Sequence, residues 1–455
     1  MKIAKFGGSS VASGAKIAQV INILNNDNKR QVVVISAPGK RNKTDTKVTD
    51  LLIKYANLTL RKQNCEKIQA QIYARYAEIG EYFDLSMQGL NEIKALINDL
   101  PTHTFPNRDY LMAAFKAHGE FLNAKLLTMI MKKQGFKVRL LTPRQAGLVV
   151  TGSPNDASVN PETYVNLRNL ELDPTEKIIF PGFYGISPSG NIATFSRGGS
   201  DITGAILARG FNAELYENFT DVDAIFSANP AIVSHPEPIS KMTYREMREL
   251  SYAGFSVFHD EALIPAIQAQ IPVNVKNTQH PERPGTMIVP ETNFKAQHTI
   301  TGIAGGKNFA ALYLHKYLLN KGAGFTLKIL QILDQHKVAY EHMPSGIDDI
   351  TIIFKKEDLN AELIDQICNE IQVSLNPDQM QWIDDYAITM VVGEGMRDKL
   401  SLCASILYPL GQKNISIQMI NQGASQISIM IGTRRGDAEE VIRTIYQTFF
   451  NRKLQ

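Results

Sequence analysis

The sequence predicts an α/β protein, with a mainly parallel sheet covered by helices on both faces, followed by two smaller βαββ-type units. Up to about residue 290, strand-like apolar runs such as 31–36 and 177–180 alternate with helix-like runs such as 111–132. That alternation is typical of parallel sheets with crossover helices. The Pro- and Gly-bearing segment 281–290 then interrupts the pattern, and an internal repeat occupies the final third of the chain.

Length and composition favour a soluble enzyme of two or three domains. The 455 residues carry a net charge of +3, which is too small to indicate nucleic-acid binding. No apolar run approaches the ~20 residues of a membrane span, and a Gly turn stands where a signal peptide would need its apolar core. The widely spaced Cys65, Cys368 and Cys403 form neither a disulfide framework nor a zinc pattern. We therefore expect a cytoplasmic protein.

A Gly-rich turn follows the first predicted strand. The strand-like run 1–6 ends at Gly7-Gly8-Ser9-Ser10, and a helix-like segment, 11–24, comes next. Strand, Gly turn and helix together point backbone N–H groups at a phosphate. The turn is neither a Walker A loop nor a G-x-G-x-x-G motif, so by itself it fits an ordinary loop equally well. Lys5 would reach the turn from the end of the strand.

A second turn, FSRGGSD at 195–201, lies between the strand-like run 191–195 and a helix-like segment. Arg197 can hold a carboxylate through two parallel hydrogen bonds, and amides at a helix start favour an anion. Asp201 can pair with a cation or cap the helix. The combination suits a small ligand that carries both charges near a phosphate. A Gly turn with an N-cap aspartate is the alternative for any one of these residues.

A third segment, FTDVDAIFSANP at 219–230, follows the strand-like run 213–218. Its Thr220, Asp221 and Asp223 can meet ribose, phosphate or Mg²⁺. An Asx turn, which aspartate forms readily, is the alternative. All three segments follow predicted strands, and ligands of parallel sheets bind at the carboxyl ends of the strands.

In order and spacing, KFGGSS, FSRGGSDITGAILA and NFTDVDAIFSANP resemble aspartate kinase, a member of the amino-acid kinase family. Shorter matches are VISA at 34–37, HGE at 118–120 and FPGF at 180–183. The resemblance covers almost all of the chain and is closest to the monofunctional, lysine-sensitive type. It implies a catalytic domain at 1–290 and two regulatory ACT units at 298–380 and 383–455, the second also serving dimerisation.

The resemblance implies ATP-dependent phosphorylation of the β-carboxylate of L-aspartate to 4-phospho-L-aspartate, the first step of lysine, threonine and methionine biosynthesis. A carboxylate is already ionised at pH 7, so positioning and charge neutralisation suffice without a protein base. Mg²⁺ is expected to arrive with ATP, without direct protein ligands. The family roles fall on Lys5, Arg197 and Asp201 for catalysis; on Thr49, Glu120, Arg197, Ser200 and Asp201 for aspartate; and on Lys5, Gly7, Gly8, Ser9, Thr220, Asp221, Phe226 and Ser256 for the nucleotide.

Two departures from the family pattern keep other functions open. Ser256 stands where many relatives carry a lysine at the nucleotide, and Ala231 stands where relatives often have an arginine. Both changes remove a cation from the expected nucleotide side. The alternative is an amino-acid sensor whose kinase domain has lost turnover, against which Lys5, Arg197 and Asp201 argue. A kinase with another acceptor, such as glutamate or a carbamate, is a third possibility.

The final third contains two copies of one pattern. Gly346 and Gly423 are separated by 423 − 346 = 77 positions, and the same offset aligns Ile350 with Ile427. Each copy contains a strand, a Gly-containing turn and an alternating strand, preceded by a helix-like segment. The copies resemble ACT domains, which bind amino-acid effectors and pair between subunits. We therefore expect a homodimer.

The first copy carries the acidic residues that a cationic effector needs. Amides at the helix start can take the carboxylate of the effector, and acids can take its cationic end. The second copy has few acids, so we expect lysine, alone or with threonine, to bind the first copy at a dimer interface. Plain turn residues are the alternative for Asp348 and Asp349. The predicted effector residues are Gly324, Phe325, Thr326, Tyr340, Glu341, Ser345, Asp348 and Asp349.

Overall fold

The computed structural model describes residues 1–196, 198–252, 254 and 260–450. Within these ranges the chain forms two compact units. The first unit contains the segments Met1–Ile225, Pro238–Met247 and Val257–Phe294. The second contains Phe226–Glu237, Arg248–Ser256 and Lys295–Gln455.

The first unit alternates strands and helices, as predicted. Its strands are β1 (Lys2–Phe6), β2 (Arg30–Ile35), β3 (Val138–Leu140), β4 (Val150–Ser153), β5 (Asp156–Val159), β6 (Lys177–Pro181), β7 (Tyr184–Ile186), β8 (Ile192–Thr194), β9 (Leu215–Thr220), β10 (Lys241–Thr243), β11 (Val273–Asn277) and β12 (Thr286–Val289). Its helices are α1 (Gly14–Asn25), α2 (Val48–Leu60), α3 (Glu66–Tyr82), α4 (Met87–Asp99), α5 (Arg108–Lys133), α6 (Pro143–Ala146), α7 (Glu162–Arg168), α8 (Gly199–Gly210), α9 (Tyr244–Tyr252), which continues into the second unit, and α10 (Ile264–Gln268).

The central sheet has the strand order β10-β12-β11-β9-β1-β2-β6-β3. Its pairs are parallel except where β12 runs antiparallel to β11, which confirms the predicted mainly parallel sheet. The edge strand β10 and its neighbour β12 were not predicted. Since β1, β2, β6, β9 and β11 run in one direction, their carboxyl ends meet at one edge of the sheet, where the motifs that follow β1 and β9 begin. The FSRGGSD motif instead follows β8, which pairs with β7 in a separate two-stranded sheet.

Helix α5 carries Glu120 to the carboxyl edge of the sheet, and both its length and its N-terminal cap determine its position. The Asn107 side chain accepts hydrogen bonds from the amides of Asp109 and Tyr110, which fixes the first turn of α5. Apolar residues further along α5, among them Leu122 and Ile130, pack in the same core as α2 and α3. The helix is 26 residues long, so it runs past the carboxyl end of β2.

The second unit is an antiparallel sheet of strand order β14-β13-β15-β17-β16 with helices packed on it. Helices α11 and α13 begin at Phe325 and Leu402, and 402 − 325 = 77, which is the offset found in the sequence. The elements are β13 (Gly302–His315), β14 (Asp349–Lys355), β15 (Gln379–Val392), β16 (Ile417–Asn421), β17 (Ser428–Thr433), α11 (Phe325–Gln335), α12 (Ala361–Leu375), α13 (Leu402–Gln412) and α14 (Ala438–Phe450).

The first copy of the repeat departs from the predicted strand-turn-strand pattern. Where the second copy has β16, the first has only two isolated bridges, His342 to Ile353 and Ser345 to Ile350. Pro344 lies between the two bridges and has no N–H group to donate, which prevents a continuous ladder. The segment nevertheless follows β14 closely, because the amide of Ile353 donates to the carbonyl of His342 at 2.9 Å.

Each of the two units contains three separate segments of the chain, so no single boundary in the sequence divides them. Within the second unit, Ala228 and Val233 pack in a core with Ile303. The Ile303 amide also donates to the carbonyl of Ser227 at 2.8 Å. The short segment 226–237 therefore belongs with residues that follow it by about seventy positions or more. Within the described ranges, no helix combines the length and the apolar character needed to cross a membrane.

Candidate active site

A lysine–aspartate pair lies at the carboxyl edge of the central sheet. Lys5 Nζ, near the end of β1, is 2.6 Å from Asp201 Oδ1 in the first turn of α8, and the side chains are only 8% and 18% exposed. Asn218 on β9 donates its Nδ2 to the same oxygen at 2.6 Å. An ammonium has three donors, so Lys5 keeps donors for an anion after it binds Asp201. Asn218 was not predicted as a site residue.

The first Gly turn is packed against the loop that follows β2. The Gly39 amide donates to the carbonyl of Gly8 at 2.8 Å, and the Gly7 amide donates to the carbonyl of Phe219 at 3.2 Å. A Cβ atom on Gly8 would lie 2.9 Å from the carbonyl oxygen of Ala37, which is closer than side chains tolerate. Only glycine therefore lets the two loops approach this closely beside Lys5.

Glu120 is a buried carboxyl group on the same side of the sheet. Its Oε1 accepts the Ala37 amide at 3.0 Å, while its Oε2 is buried without a hydrogen-bond partner. Burial raises the pKa of Glu120 to about 8. A buried polar atom without a partner is unusual in a protein and marks a position where a ligand can bind. Thr49 is half-buried in the first turn of α2, a helix that packs on α5.

The first turn of α8 also packs on the loop that follows β6. A Cβ atom on Gly182 would lie 2.7 Å from Oγ of the buried Ser200, so Ser200 rests directly on that loop. The next residue, Phe183, has φ of +79°, a left-handed conformation that is rare for an aromatic residue. Thr203 Oγ1 holds this conformation by accepting the Phe183 amide at 3.0 Å. Strained residues of this kind occur often at ligand sites.

The predicted nucleotide residues Thr220 and Asp221 follow β9 at the same edge. The Thr220 hydroxyl donates to Asp221 Oδ1 at 3.2 Å, and the Asp221 side chain is exposed. The Thr278 amide donates to the carbonyl of Thr220, and the Thr278 hydroxyl lies 2.6 Å from the hydroxyl of Ser10. These contacts join the Gly turn to the end of β9. Ser9 lies within that turn, next to Ser10.

The neighbouring Asp223 accepts hydrogen bonds from Asn277 at 2.6 Å and from Arg283 at 2.5 Å. These bonds leave it less available for a metal ion. Across the described part of the chain, no three His, Cys, Asp or Glu side chains form a group that could hold a metal ion. Phe226 belongs to the second unit, and Arg197 and Ser256 lie outside the described residues. The roles of these three residues stay predictions.

The basic loop 40–47, which precedes Thr49, is fastened to α3. Arg75 on α3 is 4% exposed and donates to the carbonyls of Gly39 and Thr46, each at 2.7 Å. Its guanidinium also lies 3.1 Å from Asp45 Oδ2. Both ends of the loop are therefore held beside the Gly turn. Arg75 was not predicted as a site residue, because it lies in no recognisable motif. Its partners are backbone carbonyl groups, which every residue has and which leave no pattern in the sequence.

In the second unit, two of the predicted effector residues, Glu341 and Asp349, contact polar or charged side chains of the same chain. Glu341 Oε1 lies 3.2 Å from Lys355 Nζ. Asp349 Oδ1 accepts the Tyr313 hydroxyl at 2.6 Å and lies 2.8 Å from His315 Nδ1. The Tyr313 hydrogen bond, helped by His315, holds the pKa of Asp349 below its usual value. An effector cation at this position would compete with groups already present.

The other predicted effector residues lie on the loops around the start of α11. Asp348 Oδ1 accepts the Leu318 amide at 2.8 Å, and Gly324 has φ of +85° just before α11. Phe325 is buried, Thr326 and Tyr340 are exposed, and Ser345 bridges to Ile350. At the equivalent position of the second copy, a cavity of about 630 Å³ is lined by residues that include Ser401, Leu402, Gln422 and Gln426.

The comparisons with known proteins agree with this architecture. Residues 1–277 match the amino acid kinase family, and residues 390–449 match an ACT domain family. A curated relative, Aspartokinase 3 of Bacillus subtilis, is 44% identical over 450 residues, which cover 99% of each chain.

Solved structures are similar over the whole chain. The aspartate kinase of Clostridium acetobutylicum has a TM-score of 0.87 and 35% identity, with 99% of this chain and 100% of that chain covered. Aspartokinase III of E. coli, solved with aspartate and ADP, has a TM-score of 0.77 and 22% identity, with 99% and 100% covered, and supports the fold alone. The family match and the full-length identity together show that this chain belongs to the amino acid kinase family, and within it to the aspartokinases.

Proposed function

We propose that this protein transfers the γ-phosphoryl group of ATP to the β-carboxylate of L-aspartate, giving 4-phospho-L-aspartate and ADP. A carboxylate oxygen attacks the γ-phosphorus, and the bond between that phosphorus and the β,γ-bridging oxygen breaks. The Lys5–Asp201–Asn218 group beside the Gly7-Gly8 turn carries the proposal, because it sets a buried cation next to a turn suited to phosphate. The aspartokinase relatives support the same reaction.

Each end of the reaction has its own residues. Lys5 stabilises the charge that develops on the transferring phosphoryl group, and Asp201 orients the Lys5 ammonium. Glu120, with one carboxyl oxygen unpartnered, receives the ammonium of aspartate. Ser200 and Thr49 add hydrogen bonds, and Arg197 is proposed to clamp a substrate carboxylate. No general base is required, because the attacking carboxylate is already ionised.

The nucleotide lies, in this proposal, over the Gly turn and the end of β9. Gly7, Gly8 and Ser9 approach the phosphates, and Thr220 and Asp221 lie on the same sheet edge. Mg²⁺ is carried by the phosphates of ATP and neutralises their charge. The family resemblance also assigns Phe226 and Ser256 to the nucleotide.

The reaction is tested by measuring ADP release with aspartate, with glutamate and without an acceptor. We expect ADP formation that depends on aspartate and far exceeds the rate with glutamate. ADP formation that ignores aspartate would remove the proposed function and leave an amino-acid sensor as the better account. Nothing among the described residues favours that alternative: Lys5, Asp201 and Glu120 are all in place.

We further propose that the protein is a cytoplasmic homodimer that pairs through its ACT units. The exposed Tyr317, Leu318 and Ile347 lie together in the first copy, since the Asn320 amide donates to the carbonyl of Ile347. Clustered exposed apolar side chains are common at interfaces, and these three side chains therefore support the proposed dimer. Light scattering at several concentrations measures the oligomeric state, and a monomer at all of them would reject the dimer.

The proposed cytoplasmic location has separate support, since the three cysteines are free, which suits a reducing compartment.

We propose lysine, alone or with threonine, as the inhibitor, bound to the first copy. Its ε-ammonium would displace Lys355 from Glu341. We expect Glu341→Gln to raise the lysine concentration for half-inhibition by about tenfold or more, because a charge-assisted contact is lost. The uninhibited rate should not change. ADP release measured against lysine, with and without threonine, checks this result.

The second copy of the repeat supplies a control for that measurement. Gln426 lines the cavity of the second copy, at the position equivalent to Asp349 (426 − 77 = 349). We expect Gln426→Ala to keep the sensitivity of the unmodified protein. Loss of inhibition in Gln426→Ala together with normal inhibition in Glu341→Gln would instead assign the effector to the second copy.

A further inference from the structure

The candidate site contains a lysine for which neither the motifs nor the proposed reaction provides a role. Lys116 lies on α5, four residues before Glu120, and its side chain is half-buried. Its Nζ is 5.6 Å from the centroid of the Phe183 ring, within the range of a cation–π contact. Across the described residues, this ammonium has neither an ion pair nor a hydrogen bond.

A half-buried ammonium is costly without an anionic partner. Burial lowers the pKa of Lys116, and the nearby Glu120 opposes that shift only in part. Glu120 is a poor permanent partner, because its own burial favours the uncharged form. An anionic ligand that binds from solution would therefore stabilise the charged form of Lys116.

The strand order shows which part of the acceptor Lys116 can reach. The neighbouring strands β1, β2 and β6 carry Lys5, the Ala37 loop that holds Glu120, and the Phe183 loop, in that order. Strands are spaced by about 4.8 Å, so the loop below Lys116 is roughly 10 Å from the strand of Lys5. Glu120 is bound to the loop of the middle strand, β2, by its hydrogen bond from the Ala37 amide. Lys5 marks the phosphate end of the site, and Lys116 marks the opposite end.

We propose that Lys116 binds the α-carboxylate of the acceptor aspartate. The inference rests on the proposed function, and it adds a second cation to the predicted Arg197. The α-ammonium and the α-carboxylate share one carbon atom, so their protein partners must be neighbours. Glu120 and Lys116 meet this requirement, because residues four apart lie on one face of a helix. The β-carboxylate is then directed towards Lys5, where the phosphoryl group is transferred.

The test compares Lys116→Met, which keeps the length of the side chain without its charge, with Lys116→Arg, which keeps the charge. Lys132→Met is the matched control, since it removes an exposed lysine from the same helix. For Lys116→Met we expect the KM for aspartate to rise by about tenfold or more, with kcat within about threefold and the KM for ATP unchanged. Lys116→Arg should recover most of the affinity, and Lys132→Met should match the unmodified protein.

Two analogues of aspartate, measured as competitors of aspartate, identify the group that Lys116 binds. β-Alanine keeps the ammonium and the reacting carboxylate but lacks the α-carboxylate, whereas succinate keeps both carboxylates and lacks the ammonium. We expect Lys116→Met to weaken succinate about as much as aspartate and to leave the inhibition constant of β-alanine unchanged. The comparison works as a double-mutant cycle, in which one change removes the Lys116 ammonium and the other removes the α-carboxylate of the ligand.

Equal weakening of β-alanine and aspartate would overturn the proposal, because Lys116 would then act without regard to the α-carboxylate. Unchanged constants for all three compounds would overturn it as well. A role limited to supporting Phe183 predicts a lower thermal midpoint and altered KM values for both substrates. The dependence of ADP release on aspartate in the unmodified protein tests the proposed function separately, so the two failures are distinguishable.

Discussion

Lys5→Ala is expected to lower kcat by about 10²- to 10³-fold, because the ammonium is needed most when charge develops on the transferring phosphoryl group. The residue is buried beside the Gly turn and is held by Asp201, so water cannot readily replace it. Binding of aspartate measured without ATP should change little. Single-turnover rates and titration calorimetry measure the two quantities separately.

Strand β1 offers a matched control in Lys2. Its ammonium pairs with Asp27 at 2.8 Å, and both side chains are about one-fifth exposed. Lys2→Ala removes the same charge from the same strand, at the end away from the Gly turn. We expect kcat to stay within about twofold, because the lost ion pair is partly exposed and contributes little free energy. Turnover of Lys5→Ala within a few-fold of the unmodified rate would show that another cation stabilises the phosphoryl group.

The parallel sheet and the position of the site follow from local patterns in the sequence. Apolar runs, Gly turns and helix starts identify β1, β2 and β9 with the loops that follow them. Once the strands are parallel, their carboxyl ends must share an edge. This argument places Lys5 and Thr220 at one edge, because they lie at the ends of β1 and β9. Asp201 follows β8, outside this sheet, and only the family resemblance predicted that it would share a site with Lys5.

Three residues of the site were given no role from the sequence, for physical reasons. Asn218 opens the motif NFTDVDAIFSANP, but only the approach of α8 makes it a partner of Asp201. Arg75 binds carbonyl groups of a distant loop, and carbonyls are present at every residue. Lys116 precedes a family motif by two residues and has no motif of its own. Each role depends on tertiary packing that local patterns do not encode.

The regulatory repeat shows the same limit. The 77-residue offset also separates the starts of α11 and α13, because buried positions repeat with it. It failed to predict that the first copy lacks an equivalent of β16. Pro344 interrupts that ladder, while the second copy has Asn421 at the same offset, with an N–H group to donate.

The binding of aspartate is expected to depend on pH through Glu120. Its pKa of about 8 means that the empty protein carries a proton there at neutral pH, and a bound ammonium requires the ionised form. The affinity should therefore fall by up to about tenfold for each pH unit below 8 and become level above it. Three other groups near Glu120 do not titrate between pH 6 and 8, because burial raises the pKa of Tyr76 and Tyr184 and lowers that of His118 to about 4. Burial also lowers the pKa of the neighbouring Lys116, so the pH profile of Lys116→Met is measured beside that of the unmodified protein.

Glu120→Gln should remove that pH dependence and weaken aspartate by about 10²-fold at pH 8.5, where the unmodified carboxylate is ionised. Near pH 6 the affinities of the two proteins for aspartate should differ much less. At that pH the carboxyl group of Glu120 in the empty unmodified protein is uncharged, as the amide of the Glu120→Gln variant is. The amide can still accept the Ala37 amide, so ADP affinity serves as a check on folding. Glu92→Gln, which removes an exposed partner of Lys125 on α5, is the matched control. A pH dependence that survives unchanged in Glu120→Gln would place the ammonium of aspartate on another carboxylate.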